Sequence, residues 1–187
     1  MTPPIPQPSS WLRRSALALC VACVATSAVA ALKPGAPAPL FKTEAAVAGK
    51  PLAFDMAAAL QKGPVVLYFF PKAFTQGCTV EANAFAEATP RFAALGASVV
   101  GMSRDNIDTL KKFSVEECRN QFAVAADPDG KTIRAYDAAS LMPGMASRIS
   151  YVVGQDGKIA FTHEGSDPLR HVEETMKAVQ RLKAAAR

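Results

Sequence analysis

Apolar positions along this chain follow two rhythms. Residues 65–70 (VVLYFF) form a continuous run rich in β-branched and aromatic side chains, the pattern of a strand buried on both faces. Pro71 ends the run, because proline has no N–H to give to a strand ladder. Residues 72–77 are a short polar loop. Beyond it the period changes to that of a helix, with Ala82, Phe85, Thr89 and Phe92 on one stripe. Cys78 therefore stands where a buried strand hands over to a helix N-terminus.

The rest of the chain extends this alternation. Residues 32–41 (LKPGAPAPLF) are proline-rich and must be extended. A short helical or turn segment covers 55–61, and Lys62-Gly63-Pro64 breaks the chain before the apolar run. Gly96 ends the helical pattern, within which Pro90 either kinks the helix or opens a second one capped by Thr89. A second buried strand is predicted over 97–103, a helix over 105–121 and a third strand over 122–126. The turn Asp127-Pro128-Asp129-Gly130 leads into a short helix over 131–138, and Met142-Pro143-Gly144 forms another turn. Residues 148–153 and 158–162 read as a hairpin. Asp167-Pro168 opens a last helix with Leu169, Val172, Met176 and Val179 directed inward. Strands alternating with helices, then a hairpin and a final helix, predict an α/β layered fold.

Residues 1–30 change the picture at the N-terminus. A polar, proline-rich start, Arg13-Arg14, an apolar run over 16–25 and Ala28-Val29-Ala30 have the form of a secretory leader with its cleavage site. The run is short for a membrane span, although an uncleaved anchor is the alternative. The expected organisation is thus a leader over 1–30 and one domain over 31–187, exported to the periplasm or beyond, with no stable membrane association once the leader is removed. Among 187 residues the net charge is +5, and it falls to +3 without the two leader arginines. No basic run with interleaved aromatics is present, so nucleic-acid binding is not expected. Of the four cysteines, Cys20 and Cys23 leave with the leader, so a mature chain in an oxidising compartment keeps Cys78 and Cys118. Neither belongs to a C-x-x-C pair, and no His/Cys cluster has zinc spacing. His163 and His171 are isolated in sequence and read as surface residues.

The chemistry then centres on Cys78. The first N–H groups of a helix lack partners and carry partial positive charge, which favours a thiolate. That contribution is only about 0.3–2 kcal/mol, so a cation and further donors are required. Thr75, three residues upstream, supplies a hydroxyl, though it also suits an N-cap. Arg148, opening a predicted strand, supplies a guanidinium unless it is a surface residue on a strand end.

Pro71-x-x-x-Thr75-x-x-Cys78 resembles the active-site motif of the peroxiredoxins, and the wider string FFPKAFTQGCTVEANAF resembles their Q-type, bacterioferritin-comigratory branch, with its Gly-Cys-Thr-x-Glu core. The resemblance spans roughly residues 32–171. It implies a thioredoxin-like fold, a central mixed sheet flanked by helices. It also implies a peroxidase using no metal or organic cofactor. Cys78 would attack the peroxide, Thr75 would hold it, Pro71 would shape the pocket, and Arg148 would stabilise thiolate and leaving oxygen, with Glu81 supporting Arg148 or capping the helix. Many Q-type members carry a second cysteine five residues after the first; here that position is Asn83. Cys118, on the helix predicted after the second strand, is the implied resolving cysteine, unless it merely fills the core. A disulfide to Cys78 then requires the alanine-rich first turn to unwind. The implied partners are a peroxide and a thioredoxin-like reductant, and the protein a monomer or homodimer. A thiol–disulfide oxidoreductase and a non-catalytic redox-sensing or binding module are the competing readings.

Overall fold

The computed structural model describes Met1 and residues 31–185. The leader, its arginine pair, its apolar run, Cys20 and Cys23 lie outside the described residues. Seven strands form one mixed sheet. In chain order the elements are β1 (Lys42–Val47), β2 (Lys50–Asp55), α1 (Met56–Lys62), β3 (Val65–Phe69), α2 (Gln76–Ala94) and β4 (Ser98–Ser103), then α3 (Ile107–Glu116), β5 (Ala123–Ala126), α4 (Lys131–Ala135), β6 (Ile149–Val153), β7 (Ile159–Glu164) and α5 (Pro168–Ala185). The order across the sheet is β2-β1-β5-β4-β3-β6-β7. Strands β3, β4 and β5 run parallel; every other neighbouring pair is antiparallel.

The register of β3 explains its unbroken apolar run. Val65, Leu67 and Phe69 join one core with Met56, Leu60, Ile133, Tyr136 and Tyr151. Val66, Tyr68 and Phe70 join the other, with Phe85 and Phe92 of α2, Phe113 of α3 and Val172 and Met176 of α5. Each face is covered by helices, so both sets of side chains must be apolar. Asp55 ends β2 and caps α1, accepting from the N–H groups of Ala57 and Ala58.

Three details decide between or depart from the sequence-based expectations. Helix α2 runs through Pro90 as one element; Pro90 lies on its exposed side, and Thr89 caps nothing, its hydroxyl donating to the carbonyl of Phe85 at 2.8 Å. Helix α3 stops at Glu116, so Cys118 lies just beyond it rather than upon it. The cause is local. Glu116 and Glu117 place negative charge at the wrong end of the helix dipole. Arg119 and Asn120 then take left-handed conformations, φ 48° and 62°, and Asn120 N–H returns to the carbonyl of Ser114. In α5, Leu169 is 51% exposed. The inward place in the first turn belongs to His171, which is buried, contrary to the surface position expected for it.

Candidate active site

The C-terminal end of β3, the N-terminus of α2 and the start of β6 meet at one end of the sheet. Antiparallel pairing sets Phe69 opposite Ile149, which brings Arg148 to the loop after β3. That loop is pinned: Ala73 N–H donates to Asp105 Oδ2 at 2.8 Å, and Phe74, at φ 64°, sets its ring edge-on to Phe113. Cys78 follows in the first turn of α2 and is almost fully buried.

Arg148 bridges the site. Its Nη2 lies 3.6 Å from Cys78 Sγ, and its Nη1 donates to Glu81 Oε2. The Arg148 side chain is 12% exposed and that of Glu81 fully buried. One guanidinium therefore faces a sulfur and a carboxylate presented one turn apart by the same helix. Gly77 is a residue the sequence reading passed over. A Cβ there would come within 3.0 Å of Arg148 Nη2, so the absent side chain leaves the guanidinium room beside the helix.

Thr75 occupies the N-cap position of α2, but its hydroxyl donates to the carbonyl of Lys72 at 3.0 Å and caps nothing. Pro71, at the far end of the same loop, lines an open cleft of about 480 Å3 together with Arg148, Ile149, Glu164 and Gly165. Cys118 is buried in the same core as Cys78, and both thiols are free. Asn83 binds the two regions together, donating to the carbonyl of Thr79 at 2.8 Å and to Glu117 Oε2 at 2.9 Å. Among the described residues, no group of three or more His, Cys, Asp or Glu side chains is placed to hold a metal ion.

With this geometry in place, the comparison with known proteins is direct: residues 34–162 match the AhpC/TSA family. The chain belongs to the AhpC/TSA family. Over 122 residues it is 33% identical to the chloroplastic peroxiredoxin Q of Sedum lineare, covering 64% of this chain and 65% of that protein. Over 121 residues it is 32% identical to the chloroplastic peroxiredoxin Q of Triticum aestivum, covering 64% and 55%. The chain thus spans less than two thirds of the length of these relatives. The Q-type resemblance of the Cys78 string agrees with their names. Peroxidoxin BcpB from Mycobacterium tuberculosis superposes with a TM-score of 0.70 at 26% identity, over 80% of this chain and 97% of that one. Mycobacterium tuberculosis AhpC superposes at 0.74 with 19% identity, over 83% and 96%, and carries the fold alone. These likenesses fit the thioredoxin-like, mixed-sheet architecture expected from the motif.

Behind Arg148 this AhpC/TSA chain holds a second buried polar layer. His171 Nε2 donates to the carbonyl of Gly165 at 3.0 Å, which leaves Nδ1 to accept from Ser150 Oγ at 2.8 Å. The ring of His163 meets it edge-on at 4.6 Å, so the two histidines, far from isolated, are in contact. Glu81 Oε1 lies 3.9 Å from His171 Nδ1 and has no hydrogen-bond partner. A period-3.6 reading places position 171 on the inward stripe with Val172 and Thr175; histidine's usual exposure argued the other way.

Burial acts oppositely on these two groups. It lowers His171 from 6.5 to about 4, because the charged ring is disfavoured. It raises Glu81 from 4.5 to about 8, against the pull of Arg148. Between pH 6.5 and 4 the unfolded chain binds the His171 proton and the folded chain does not, so that contribution, roughly 3 kcal/mol in full, is lost as pH falls. Between 4.5 and 8 the folded chain holds the Glu81 proton longer, so stability falls as pH rises. The two slopes offset each other below 6.5, and of the two only that of Glu81 remains above it. In urea unfolding of the reduced proteins, the stability of wild type relative to Glu81→Gln should therefore decline from pH 6.5 to 8. Parallel curves for wild type and variant over that range would contradict this account.

Proposed function

We propose that this chain is a thiol-dependent peroxidase acting on hydrogen peroxide or organic hydroperoxides. The supporting observation is the Arg148 guanidinium, 3.6 Å from Cys78 Sγ at the start of α2. Its charge and the first N–H groups of the helix favour the sulfur anion. The sulfur attacks one peroxide oxygen. An S–O bond forms, the O–O bond breaks, and the departing oxygen leaves as water or an alcohol after taking a proton. Arg148 is placed to stabilise the negative charge that develops on that oxygen. Thr75 and Pro71 stand on the loop facing the incoming peroxide, and Glu81 holds Arg148.

Cys78 is left as a sulfenic acid. Cys118 then attacks it, giving a Cys78–Cys118 disulfide and water. Sulfurs joined this way need Cα atoms about 4.4–6.8 Å apart. Bringing them together opens the Asn83–Glu117 clasp and unwinds the first turn of α2. A thioredoxin-like dithiol returns both cysteines to thiols by disulfide exchange. The leader over 1–30 directs the domain over 31–187 to an exported, oxidising location.

The test is peroxide consumption by catalytic amounts of reduced protein with dithiothreitol. Many turnovers per chain are expected, with non-reducing peptide mapping showing an intramolecular Cys78–Cys118 link after one equivalent of peroxide. Consumption of a single equivalent without turnover would overturn the enzyme in favour of a redox-sensing module.

A further inference from the structure

The proposed cycle leaves one proton transfer unassigned. When Cys118 attacks the sulfenic acid, the attacking sulfur must shed a proton and the departing oxygen must gain one. Burial pushes the Cys118 thiol well above its usual range, so the attacking group carries its proton. Among the described residues, no charged base is hydrogen-bonded to it.

Tyr68 stands in the same core. It belongs to β3, whose next residues lead to the Cys78 loop, and its side chain is fully buried with both cysteines. Its ring stacks on Phe85 at 4.4 Å, two turns beyond Cys78 on α2. Phe122, four residues after Cys118, meets it edge-on at 5.9 Å. So the ring touches both segments that must move. Space for its hydroxyl is deliberate in the packing: its partner across the ladder is Gly101, where a Cβ would fall 2.8 Å from the hydroxyl oxygen. Yet the hydroxyl has no hydrogen-bond partner; only one other buried side-chain polar atom among the described residues, Glu81 Oε1, shares that state. A phenylalanine would fill the same space without leaving a buried polar group unpaired. Burial raises the Tyr68 hydroxyl, and Cys118, Glu81 and Cys78 raise it further, while Arg148 opposes them. The hydroxyl is therefore a neutral donor and acceptor within the field of both sulfurs.

We propose that Tyr68 is a catalytic residue of the resolving step, relaying the Cys118 proton to the oxygen leaving the Cys78 sulfenic acid. This rests on the peroxidase reading above. As the two segments close on each other, the Cys118 sulfur attacks the Cys78 sulfur. The S–S bond forms and the S–O bond breaks. Tyr68 gives its proton to the departing oxygen and takes the one from Cys118. Water leaves, and Tyr68 ends as it began, with no outside acid, base or oxidant.

Tyr68→Phe tests this, because it removes one oxygen and keeps the ring. Reduced protein is mixed with one equivalent of hydrogen peroxide. The sulfenic acid is trapped with dimedone over time, and the disulfide is mapped under non-reducing conditions. The ratio of resolution rate to oxidation rate is expected to fall at least tenfold, whereas loosened packing would disturb both steps. In deuterium oxide, resolution should slow in wild type and slow less in Tyr68→Phe. The reduced variant should melt no lower than wild type, since the unpaired hydroxyl is gone. An unchanged rate ratio overturns the relay and leaves the peroxidase standing. A wild type that turns over without ever forming the Cys78–Cys118 disulfide overturns the relay and the resolving role of Cys118 together.

Discussion

Replacing Cys78 with serine is expected to reduce peroxide turnover to the uncatalysed background, a loss of at least about a thousandfold, or roughly 4 kcal/mol of barrier. Serine is nearly the size of cysteine, so the buried position at the start of α2 stays filled and the fold persists. What disappears is the nucleophile: a hydroxyl remains protonated beside Arg148 where a thiol can lose its proton. Cys118 offers no substitute. It is buried, its thiol is pushed up by that burial, and the negative charge of Glu117 pushes it further. Its own replacement by serine therefore behaves differently. Cys118→Ser should still consume one equivalent of peroxide at Cys78 and then stall as a sulfenic acid unless dithiothreitol reaches it. The check is a peroxide-consumption time course on all three proteins with matched thermal melts. Residual turnover in Cys78→Ser above a tenth of wild type would remove Cys78 from the centre of the mechanism.

How much of this was legible beforehand depends on whether a feature is local. The stretch from β3 into α2 reads well because its cues are consecutive: an apolar run with both faces covered, a proline stop, a polar loop and a helical stripe. The link between Arg148 and Glu81 is 67 residues long in sequence. Only the family resemblance joins those two positions before the strands are paired. Cys118 shows the limit of periodicity. Residues 105–121 hold a helical pattern, yet the helix ends earlier, because two left-handed residues and two misplaced glutamates outweigh it. His171 shows the limit of residue type. Its ring is buried because Ser150 of β6 and the carbonyl of Gly165, in the loop before α5, each satisfy one nitrogen. Ser150, 21 residues upstream on the neighbouring strand, is not visible from the histidine's own neighbourhood in the sequence.

The second large effect is at Arg148, and it separates chemistry from stability. Arg148→Met keeps much of the side chain's length and removes its charge and donors. Oxidation of Cys78 by peroxide should slow by about 10²–10³, the usual loss when one donor to a developing negative charge is removed. The fold should suffer as well. Glu81, fully buried, would lose the partner of Oε2 while Oε1 already has none. Burial holds that carboxyl neutral below about pH 8, so leaving it without its partner costs about 1–3 kcal/mol. The variant's low activity would then have two causes, a poor site and a small folded fraction. Adding Glu81→Gln removes the stranded carboxyl and should restore most of the melting temperature. It should restore little of the rate, because nothing positive faces Cys78. Arg148→Lys is a weaker replacement than it looks, since an ammonium cannot span the sulfur and the carboxylate as a planar guanidinium does. Stopped-flow oxidation rates and thermal melts for the single and double variants decide the matter. If Arg148→Met with Glu81→Gln oxidises Cys78 as fast as wild type, the guanidinium beside that sulfur is there to satisfy Glu81, and the chemistry lies with the helix terminus alone.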